Sequence, residues 1–457
     1  MHYQSINPFT EQVLESFPEH SDAELDAVLA TADTAYRTDW RLRSYADRAA
    51  VLHKAASLLK ERASDFAATA TREMGKLLRE AKEEVALSAN ILRYYADNAE
   101  TMLAPRPLAL KRGEAAVHSA PIGVIFAIEP WNFPYYQLAR VAGPNLMAGN
   151  TLVVKHAPGV PRCAIAFEEV LLEAGAPAGV YSNVFLSNEQ SASAIADARI
   201  KGVALTGSER AGAAIAAEAG KALKKSTMEL GGSDAFIVLD DADLDTAVRL
   251  AVTGRMNNMG QACGGSKRFI LHESVADAFV ERFRDKLTTF VPGDPMQDGT
   301  TPAPLCSRAA LDRALEQIDA AVAGGARVLT GGKRLPHPGY FLASTILADV
   351  GPDNPAFRQE FFAPVAMIFR VKGEQEAAAL ANDSPYGLGG SVVTKDVVRG
   401  KRVAAQMDTG MVFINDTVIS APDLPFGGVK NSGFGRELSD LGIHEFVNKK
   451  LVTVTAA

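Results

Sequence analysis

The clearest signal for the fold lies in residues 122–156, IGVIFAIEPWNFPYYQLARVAGPNLMAGNTLVVKH. Two short, almost wholly apolar strand patterns, 122–128 and 151–156, flank a helical stretch from Pro134 to Met147. Apolar strands that alternate with helices of this length predict a parallel sheet covered by helices on both faces. Ligands bind such sheets beyond the carboxyl ends of the strands, so the residues that follow each strand are candidates for a site.

The same alternation continues toward the C-terminus. Further strand patterns occur at 181–187, 201–207, 226–230, 267–273 and 389–396, and helical patterns at 161–174, 189–198, 208–220, 243–257, 275–289 and 308–323. Residues 22–100 have helical periodicity and contain no phosphate-loop or metal-ligand spacing. Two strand patterns, 113–121 and KLVTV at 450–454, lie outside both runs. We therefore predict an α/β fold with two parallel-sheet units, and a small extra sheet that another subunit completes.

Composition narrows the classes of function. At 457 residues the chain is long enough for two or three domains, and its net charge of −7 argues against nucleic acid or an anionic membrane as a partner. No apolar run of about 18 residues and no signal-peptide pattern occurs, so we expect no membrane span. The three cysteines, Cys163, Cys263 and Cys306, form neither a disulfide framework nor a metal site. They fit a reducing cytoplasm, and we expect no metal.

Polar residues follow the first two strands of the sheet. Asn132, in EPWNFP, has a side-chain amide that can donate to an oxyanion, or it can cap the helix that Pro134 opens. Lys155, at the end of the second strand, suits ribose hydroxyls or a phosphate, although an ordinary surface lysine fits as well. No carboxylate occupies positions 156–158, and His156 favours a 2′-phosphate there.

Two later strand ends carry phosphate-binding and acid–base candidates. TGSERAG places Gly207 and Ser208 at the start of a helix and Gly212 one turn further on. Main-chain N–H groups and the helix dipole make such an end a phosphate site, although a simply capped helix gives the same pattern. Glu229, in MELGG, precedes two glycines and is a candidate general base; most glutamates, however, are merely solvated.

Cys263 stands in NMGQACGGSKR, a stretch with three glycines. A cysteine acts as a nucleophile when a positive field or a base stabilises its thiolate. Without such partners, a small buried structural residue is the more common case. The other strand ends must therefore supply the partners.

Six motifs in this order resemble those of the aldehyde dehydrogenase superfamily over nearly the whole chain. They are EPWNFP, MELGG, GQAC, QEFFAPV, ANDSPYGL and LPFGGVKNSGFGRE. The resemblance implies a Rossmann-type cofactor domain, an α/β catalytic domain and a strand arm that pairs subunits in a homodimer or homotetramer. By its pattern, residues 1–112 and 122–235 bind the cofactor, 236–430 form the catalytic domain, and 113–121 with 431–457 form the arm.

The resemblance also implies roles for the candidate residues. Cys263 attacks the aldehyde, Asn132 and the Cys263 N–H hold the oxyanion, and Glu229 activates the water that releases the acid. For the cofactor, the resemblance implies that Lys155 and Glu360 bind the ribose hydroxyls, Phe362 packs near the nicotinamide and Ser208 contacts the pyrophosphate. The full implied cofactor-binding set is Trp131, Lys155, His156, Pro158, Gly207, Ser208, Gly212, Leu230, Glu360 and Phe362.

Within the superfamily, EPWNFPYYQLAR, KHAP and KRFI look most like the short bacterial succinate semialdehyde dehydrogenases, which usually prefer NADP. Relatives that prefer NAD commonly carry a glutamate where this chain has Pro158, so we expect NADP to be preferred and NAD to be possible. Arg140 and Ser420 stand where such enzymes hold the substrate carboxylate, a group that Arg and hydroxyls pair well.

Several departures from that pattern favour a more permissive enzyme. Gly264 and Gly265 replace bulkier residues, Asn257 replaces an arginine found in one branch, and Asp423 puts an anion where relatives have a cation. Ala363 replaces a glycine, a change that we do not interpret. A broad-specificity aliphatic or ω-carboxy aldehyde dehydrogenase is therefore the alternative. A non-catalytic binding protein and a CoA-acylating or phosphorylating enzyme fit less well, because Cys263, Glu229 and Asn132 are all retained.

Overall fold

The computed structural model describes residues 3–455. Residues 1–2 and 456–457, which fall in the predicted ranges 1–112 and 431–457, lie outside the described residues. No helix among the described residues is long and apolar enough to cross a membrane.

The first part of the chain is a hairpin followed by four helices and two strands. These elements are β1 (Tyr3–Ile6), β2 (Val13–Phe17), α1 (Asp22–Thr38), α2 (Tyr45–Glu61), α3 (Ala63–Met74), α4 (Leu78–Met102), β3 (Arg106–Leu108) and β4 (Glu114–Pro121). Ser21 and Ser44 begin α1 and α2 as capping boxes, each paired with an acidic residue three positions later. Helices α2 to α4 then pack their apolar faces into the core beneath the first sheet.

The second part alternates strands and helices. It comprises β5 (Val124–Glu129), α5 (Pro134–Ala148), β6 (Thr151–His156), α6 (Pro161–Glu173), β7 (Tyr181–Asn183), α7 (Asn188–Ala196), β8 (Ile200–Thr206), α8 (Glu209–Lys221) and β9 (Lys225–Glu229). The strand predicted at 181–187 is wrong beyond Asn183. The main-chain N–H groups of Phe185 and Leu186 are taken by the side chains of His20 and Tyr3, so they join no ladder.

The third part repeats the alternation with shorter elements toward its end. It comprises β10 (Asp234–Val238), α9 (Leu244–Met256), β11 (Ser266–His272), α10 (Glu273–Thr288), α11 (Arg308–Ala323), β12 (Arg327–Thr330), β13 (Thr345–Ala348), β14 (Val365–Val371), α12 (Glu374–Asn382), β15 (Tyr386–Gly387), β16 (Gly390–Val393), α13 (Val397–Ala404), β17 (Phe413–Ile414), β18 (Val429–Lys430), β19 (Gly433–Phe434), α14 (Ser439–Ile443) and β20 (Val447–Val454).

Two mainly parallel sheets organise these elements, which confirms the predicted α/β fold. The first has the order β19-β9-β8-β5-β6-β7 and the second the order β12-β13-β14-β11-β10-β16-β17. Only β19 in the first and β12 in the second run antiparallel to their neighbours. The strand interiors are buried and nearly all apolar, as a sheet covered on both faces requires.

The two strands predicted outside the sheets pair with each other. β20 runs antiparallel to β4, with Val447 opposite Pro121 and Val454 opposite Glu114, and β3 adds a third strand. Before β20, the chain still contacts the first sheet, because Gly433 of β19 pairs with Glu229 of β9. The division of the chain into three functional parts stays a prediction.

Candidate active site

The thiol of Cys263 lies where two cavities meet. A pocket of about 310 Å³ opens on one side and a cleft of about 640 Å³ on the other. Cys263 and Gln137 line both cavities. A small molecule in the pocket and a larger one in the cleft would therefore approach the same sulfur atom.

A strained loop between α9 and β11 carries Cys263. Asn258 and Met259 have φ angles of 50° and 52°, a region that non-glycine residues rarely occupy. The Asn258 amide offsets the strain by donating to the carbonyls of Asn132, at 2.8 Å, and Gln261, at 3.2 Å. Arg255 donates to the carbonyl of Gly260 at 2.6 Å. The loop is thus fixed by side chains rather than by regular secondary structure.

Asn132 is tied to this loop and does not cap a helix. Its Nδ2 donates to the carbonyl of Gln261 at 3.1 Å, whereas Phe133 is the residue that precedes the first turn of α5. Asn132 also lines the cleft. The second N–H of its amide has no partner among the described residues and is available to an oxygen beside Cys263.

Glu229 ends β9 as a buried carboxyl group. Neither of its oxygens has a hydrogen-bond partner among the described residues. Burial raises its pKa to about 8; Arg140 and Arg436 oppose the rise, and Glu437 adds to it. A Cβ at Gly427 would come within 2.6 Å of Glu229 Oε1, so only glycine leaves room for the carboxyl group there.

The surroundings of Cys263 favour its neutral thiol. Burial raises its pKa to about 11; the charges of Arg140 and Lys267 pull it down, and those of Glu229 and Glu360 push it up. A thiol and a carboxyl group in one dry site, both with raised pKa values, are the groups that acyl transfer through a thioester needs.

Arg140 is a buried cation that lies next to the site without lining the pocket. Its side chain is 1% exposed; it forms an ion pair with Glu437, and Nη2 donates to the Thr206 hydroxyl at 2.9 Å. In the sheet, Thr206 lies opposite Glu229. Nη1 of Arg140 donates to the Tyr136 hydroxyl at 3.3 Å. The prediction that Arg140 holds the substrate directly needs correction, because Glu437 occupies its guanidinium and Arg140 does not line the pocket.

The pocket wall carries a pair of hydroxyls and several carboxyl groups. The Tyr136 hydroxyl donates to Ser420 Oγ at 3.0 Å, and both residues line the pocket. The remaining lining residues are Glu80, Glu83, Glu84, Leu87, Phe133, Gln137, Thr253, Gly254, Asn257, Ala262, Cys263, Gly264, Gly265, Thr417, Val418, Ile419 and Phe426. Ser420 therefore lies in the pocket wall beside Cys263, and its role in binding the substrate stays a prediction. Asp423 is exposed and is not part of this wall.

Gly264 and Gly265 line the pocket, but their lack of side chains does not enlarge it. A Cβ at Gly264 would approach Val418 Cγ1 to 2.8 Å, so the Val418 side chain fills the room that a larger residue at 264 would take. A Cβ at Gly265 would meet Arg255 Nη2 at 3.2 Å. The pocket is bounded here by Val418 instead of by residue 264.

The cleft brings together most of the predicted cofactor-binding residues. Trp131 and Phe362 face each other edge to face, with ring centroids 5.7 Å apart. The predicted residues that line the cleft are Trp131, Gly207, Ser208, Leu230, Glu360 and Phe362. Ser208 caps α8, since its hydroxyl accepts from Ala211, and Gly212 packs against Leu230. The start of α8 is therefore a capped helix end that also lies in the cleft, so the cap does not exclude the predicted phosphate site.

Besides Gly212, three predicted cofactor-binding residues lie outside this wall. Lys155 is buried beneath the ring of Tyr3. Pro158 accepts from Gln4 through its carbonyl. His156 is fully buried: Nδ1 accepts from the Ala157 N–H and Nε2 donates to the Pro134 carbonyl at 3.0 Å. The prediction that His156 favours a 2′-phosphate is wrong, because burial lowers its pKa to about 4 and both ring nitrogens are engaged.

Sequence reasoning missed four residues of the site. Tyr136 lies one helical turn before Arg140, so helical spacing already placed the two on one face of α5. Gln137 and Lys267 lie in the quoted motifs EPWNFPYYQLAR and KRFI, but the motifs implied no role for either side chain. Glu129 is buried with neither carboxyl oxygen partnered among the described residues, and burial, Glu437 and Glu229 raise its pKa well above the usual range, against Arg140.

Comparison with known proteins decides the family. The family model described as aldehyde dehydrogenase family matches residues 1–452. The chain belongs to the aldehyde dehydrogenase family. The recognition made from the six motifs is confirmed, and members of this family oxidise aldehydes.

The relatives of this aldehyde dehydrogenase are similar over their whole lengths. An NADP-dependent succinate-semialdehyde dehydrogenase of Deinococcus radiodurans is 50% identical over 450 residues, which are 98% of this chain and 94% of the relative. The structure of succinic semialdehyde dehydrogenase from Streptococcus pyogenes with NADP+ superposes with a TM-score of 0.98 at 47% identity, covering 99% and 100% of the two chains. The structure of Gox0499 has a TM-score of 0.98 at 56% identity and the same coverage.

Proposed function

We propose that this aldehyde dehydrogenase oxidises succinate semialdehyde to succinate with NADP. The observation that carries the proposal is the placement of Cys263 between a dinucleotide-sized cleft and a pocket whose wall presents the Tyr136–Ser420 hydroxyl pair. The kinship with enzymes named for this substrate and cofactor supports it.

The chemistry proceeds on Cys263. Its sulfur attacks the aldehyde carbon as the thiol proton passes to water. The free N–H of the Asn132 amide and the main-chain N–H of Cys263 stabilise the oxyanion. When NADP is bound, it would accept the hydride that leaves this carbon, and the loss of the hydride leaves a thioester on Cys263. Glu229 then takes a proton from the water that attacks the thioester, and succinate leaves as the thiol is restored.

The cleft fits a nicotinamide dinucleotide. It presents the aromatic pair Trp131 and Phe362, the N-terminal end of α8 at Ser208, and the carboxyl group of Glu360. These are an apolar wall, a phosphate-binding helix end and an acceptor for ribose hydroxyls. Lys155, Gly207, Gly212 and Leu230 complete the proposed cofactor-binding set.

The distal carboxylate of the substrate is recognised by hydroxyls instead of by a direct ion pair. Ser420 and Tyr136 can turn their O–H groups toward a carboxylate, and the buried guanidinium of Arg140 polarises the phenol from behind. Hydrogen bonds to a charged group contribute about 1.5–3 kcal/mol each, enough to select an ω-carboxy aldehyde.

NADP is preferred because nothing at positions 156–158 repels a 2′-phosphate. His156, Ala157 and Pro158 bear no negative charge in the folded protein. The same lack of a carboxylate removes a partner for the adenine ribose of NAD but does not exclude NAD, so turnover with NAD is expected at lower efficiency.

A broad-specificity aliphatic aldehyde dehydrogenase is the second candidate. One observation favours it: the carboxyl groups of Glu80 and Glu83 line the same pocket as Ser420. Carboxylates in the wall oppose a second anion when they are ionised, and such a pocket selects less strongly for succinate semialdehyde.

The exposed face of the strand arm, β20, supports a homo-oligomer. Outward-facing apolar side chains on β20, with Leu451 at 59% and Val454 at 59% exposure, suit contact with a second copy of the chain. We propose a homodimer or homotetramer. The three cysteines are free, which fits the cytoplasm.

Reduced-cofactor formation and succinate release test the proposal together. The purified chain is given succinate semialdehyde with NADP or NAD, without CoA or phosphate. We expect stoichiometric NADPH and succinate and a higher kcat/KM with NADP. No acid without added CoA or phosphate would contradict hydrolytic turnover, and a kcat/KM for NAD equal to that for NADP would contradict the cofactor assignment.

A further inference from the structure

Lys267 lies buried beneath the Cys263 loop. It follows the nucleophile by four residues, at the start of β11, and its side chain is 0% exposed. Its ammonium group donates to the carbonyls of Ala262, at 2.7 Å, and Cys263. The third contact of the ammonium group is Glu360 Oε1 at 3.1 Å. All three N–H bonds of the ammonium group are thereby used.

Glu360 extends the contact from Lys267 into the cleft. The same Oε1 accepts the main-chain N–H of Gly232 at 3.1 Å, and the Glu360 side chain lines the cleft. Lys267 therefore touches the backbone of the nucleophile with one part of its ammonium group and a cleft carboxylate with another. Among the described residues, it is the only lysine bonded to both.

The charges around Cys263 come from several elements. Arg140 of α5 and Lys267 of β11 are cationic, while Glu229 of β9 and Glu360 are acidic. Around Lys267 itself stand Asp234 of β10 and Glu360; Arg255 of α9 and Arg268 of β11 interact with the same Asp234. Arg140 and Lys267 each form an ion pair, with Glu437 and Glu360 respectively, and both lower the pKa of the Cys263 thiol. Of the two, Lys267 is the one bonded to the nucleophile's own main chain.

We propose that Lys267 is a positioning residue that joins the cofactor cleft to the nucleophile, fixing the main chain at Cys263 and stabilising its thiolate. The inference rests on the proposed function only in taking Cys263 as the nucleophile. Fixing two successive carbonyls orients the peptide N–H groups around Cys263, and a buried ammonium favours a nearby anion more strongly than one in water. The negative charge of Glu360 partly offsets this effect.

Site-resolved alkylation of Cys263 by iodoacetamide, followed across pH by peptide mass spectrometry, tests the inference without any substrate. Lys267→Gln keeps hydrogen-bond donors but removes the charge. We expect it to raise the alkylation pKa by about one unit, which slows the reaction about tenfold at a pH below both values. Glu360→Gln removes the opposing charge, and we expect it to lower that pKa.

If Lys267→Gln raises the Cys263 pKa and Glu360→Gln lowers it, the two effects cannot both come from a general loosening of the site. Lys224→Gln is the matched control, since Lys224 also donates to two carbonyls, those of Ile195 and Asp197, and it should leave the Cys263 profile unchanged. A Lys267→Gln profile that superimposes on the wild-type profile overturns the inference.

Two further readouts keep the inference separate from folding and from the proposed function. If Lys267→Gln does not fold, Glu360→Gln alone decides, and an unchanged or raised thiol pKa overturns the inference. Titration of tryptophan fluorescence with NADP, in which Trp131 of the cleft responds, should show severalfold weaker binding to Lys267→Gln, because Glu360 loses one of its two partners. Aldehyde turnover by Cys263→Ala would refute the proposed function while leaving the alkylation result intact.

Discussion

The side-chain hydroxyls of Tyr136 and Ser420 lie 3.0 Å apart in the wall of the pocket beside Cys263. On its other side, the Tyr136 hydroxyl accepts a hydrogen bond from Arg140, whose guanidinium forms an ion pair with Glu437. Arg140 therefore contacts the pocket wall through a neutral phenol, and its guanidinium does not itself line the pocket. Selection for a carboxylate depends on this chain of hydrogen bonds.

Removal of either hydroxyl should weaken selection for succinate semialdehyde. We expect Tyr136→Phe and Ser420→Ala each to lower kcat/KM for this substrate by roughly 10–100-fold, equivalent to about 1.5–3 kcal/mol. Butanal, which lacks the carboxylate, is the matched control and should change little. Equal losses for both aldehydes would mean that the hydroxyls shape the pocket and do not bind the carboxylate.

The assigned chemical roles predict two different kinds of inactive enzyme. Cys263→Ala should abolish turnover yet bind NADP normally, because its loss leaves Trp131, Phe362 and Glu360 in the cleft. Glu229→Gln should form the thioester and stop, giving at most one equivalent of NADPH in a rapid burst. Stopped-flow absorbance measures both, and steady turnover by Cys263→Ala would exclude the mechanism.

The pH dependence of deacylation should follow Glu229. A general base works in its deprotonated form, so kcat limited by deacylation should rise with pH through about 8. Glu437→Gln removes a negative charge that raises the Glu229 pKa and frees Arg140, which lowers it. The rising limb should therefore move to lower pH, while exposed Glu173→Gln should leave it in place. A limb that moves to higher pH contradicts this assignment.

Residue 264 tests what bounds the pocket. A Cβ there would stand 2.8 Å from Val418, so Gly264→Ala should lower kcat/KM severalfold for all aldehydes by displacing Val418 toward the pocket. The double variant Gly264→Ala/Val418→Ala should recover most of the loss. Failure of the second substitution to rescue the first would show that the main chain at Gly264, and not Val418, is the constraint.

Cofactor preference should respond to charge at position 158. Pro158→Glu introduces a carboxylate that repels a 2′-phosphate, and we expect kcat/KM with NADP to fall about tenfold or more relative to NAD. Pro158→Gln is the control, because glutamine has the size of glutamate without its charge. His156→Gln should alter thermal stability but not this ratio, since His156 only bonds to neighbouring main-chain groups. A change in the NADP-to-NAD ratio of kcat/KM in His156→Gln would show that His156 does contribute to binding the 2′-phosphate.

The sequence sufficed for the fold and for the reacting groups because both depend on local patterns. Alternating apolar strands and helices predict parallel sheets, and the strand ends named Asn132, Glu229 and Ser208 before any contact was known. The two arm strands, β4 and β20, were also evident as lone strand patterns. The predicted strand beyond Asn183 failed because side chains from the N-terminal segment take its N–H groups.

What the sequence could not supply is the outcome of long-range competition for a side chain. Arg140 stands at a substrate-binding position, yet Glu437, nearly 300 residues away, occupies its guanidinium. His156 follows a strand end, yet the carbonyl of Pro134 determines its role. Lys267 begins the quoted motif KRFI, yet only the structure shows its bonds to the carbonyls of Ala262 and Cys263 and its ion pair with Glu360.

The most direct test of the account is the ratio of kcat/KM, with NADP, for succinate semialdehyde and for butanal, which match in carbon count and differ in the carboxylate. A hydroxyl pair backed by Arg140 predicts a preference of at least about a hundredfold, equivalent to about 2.7 kcal/mol. A ratio near one would contradict the assignment of substrate and would identify the chain as a general aliphatic aldehyde dehydrogenase.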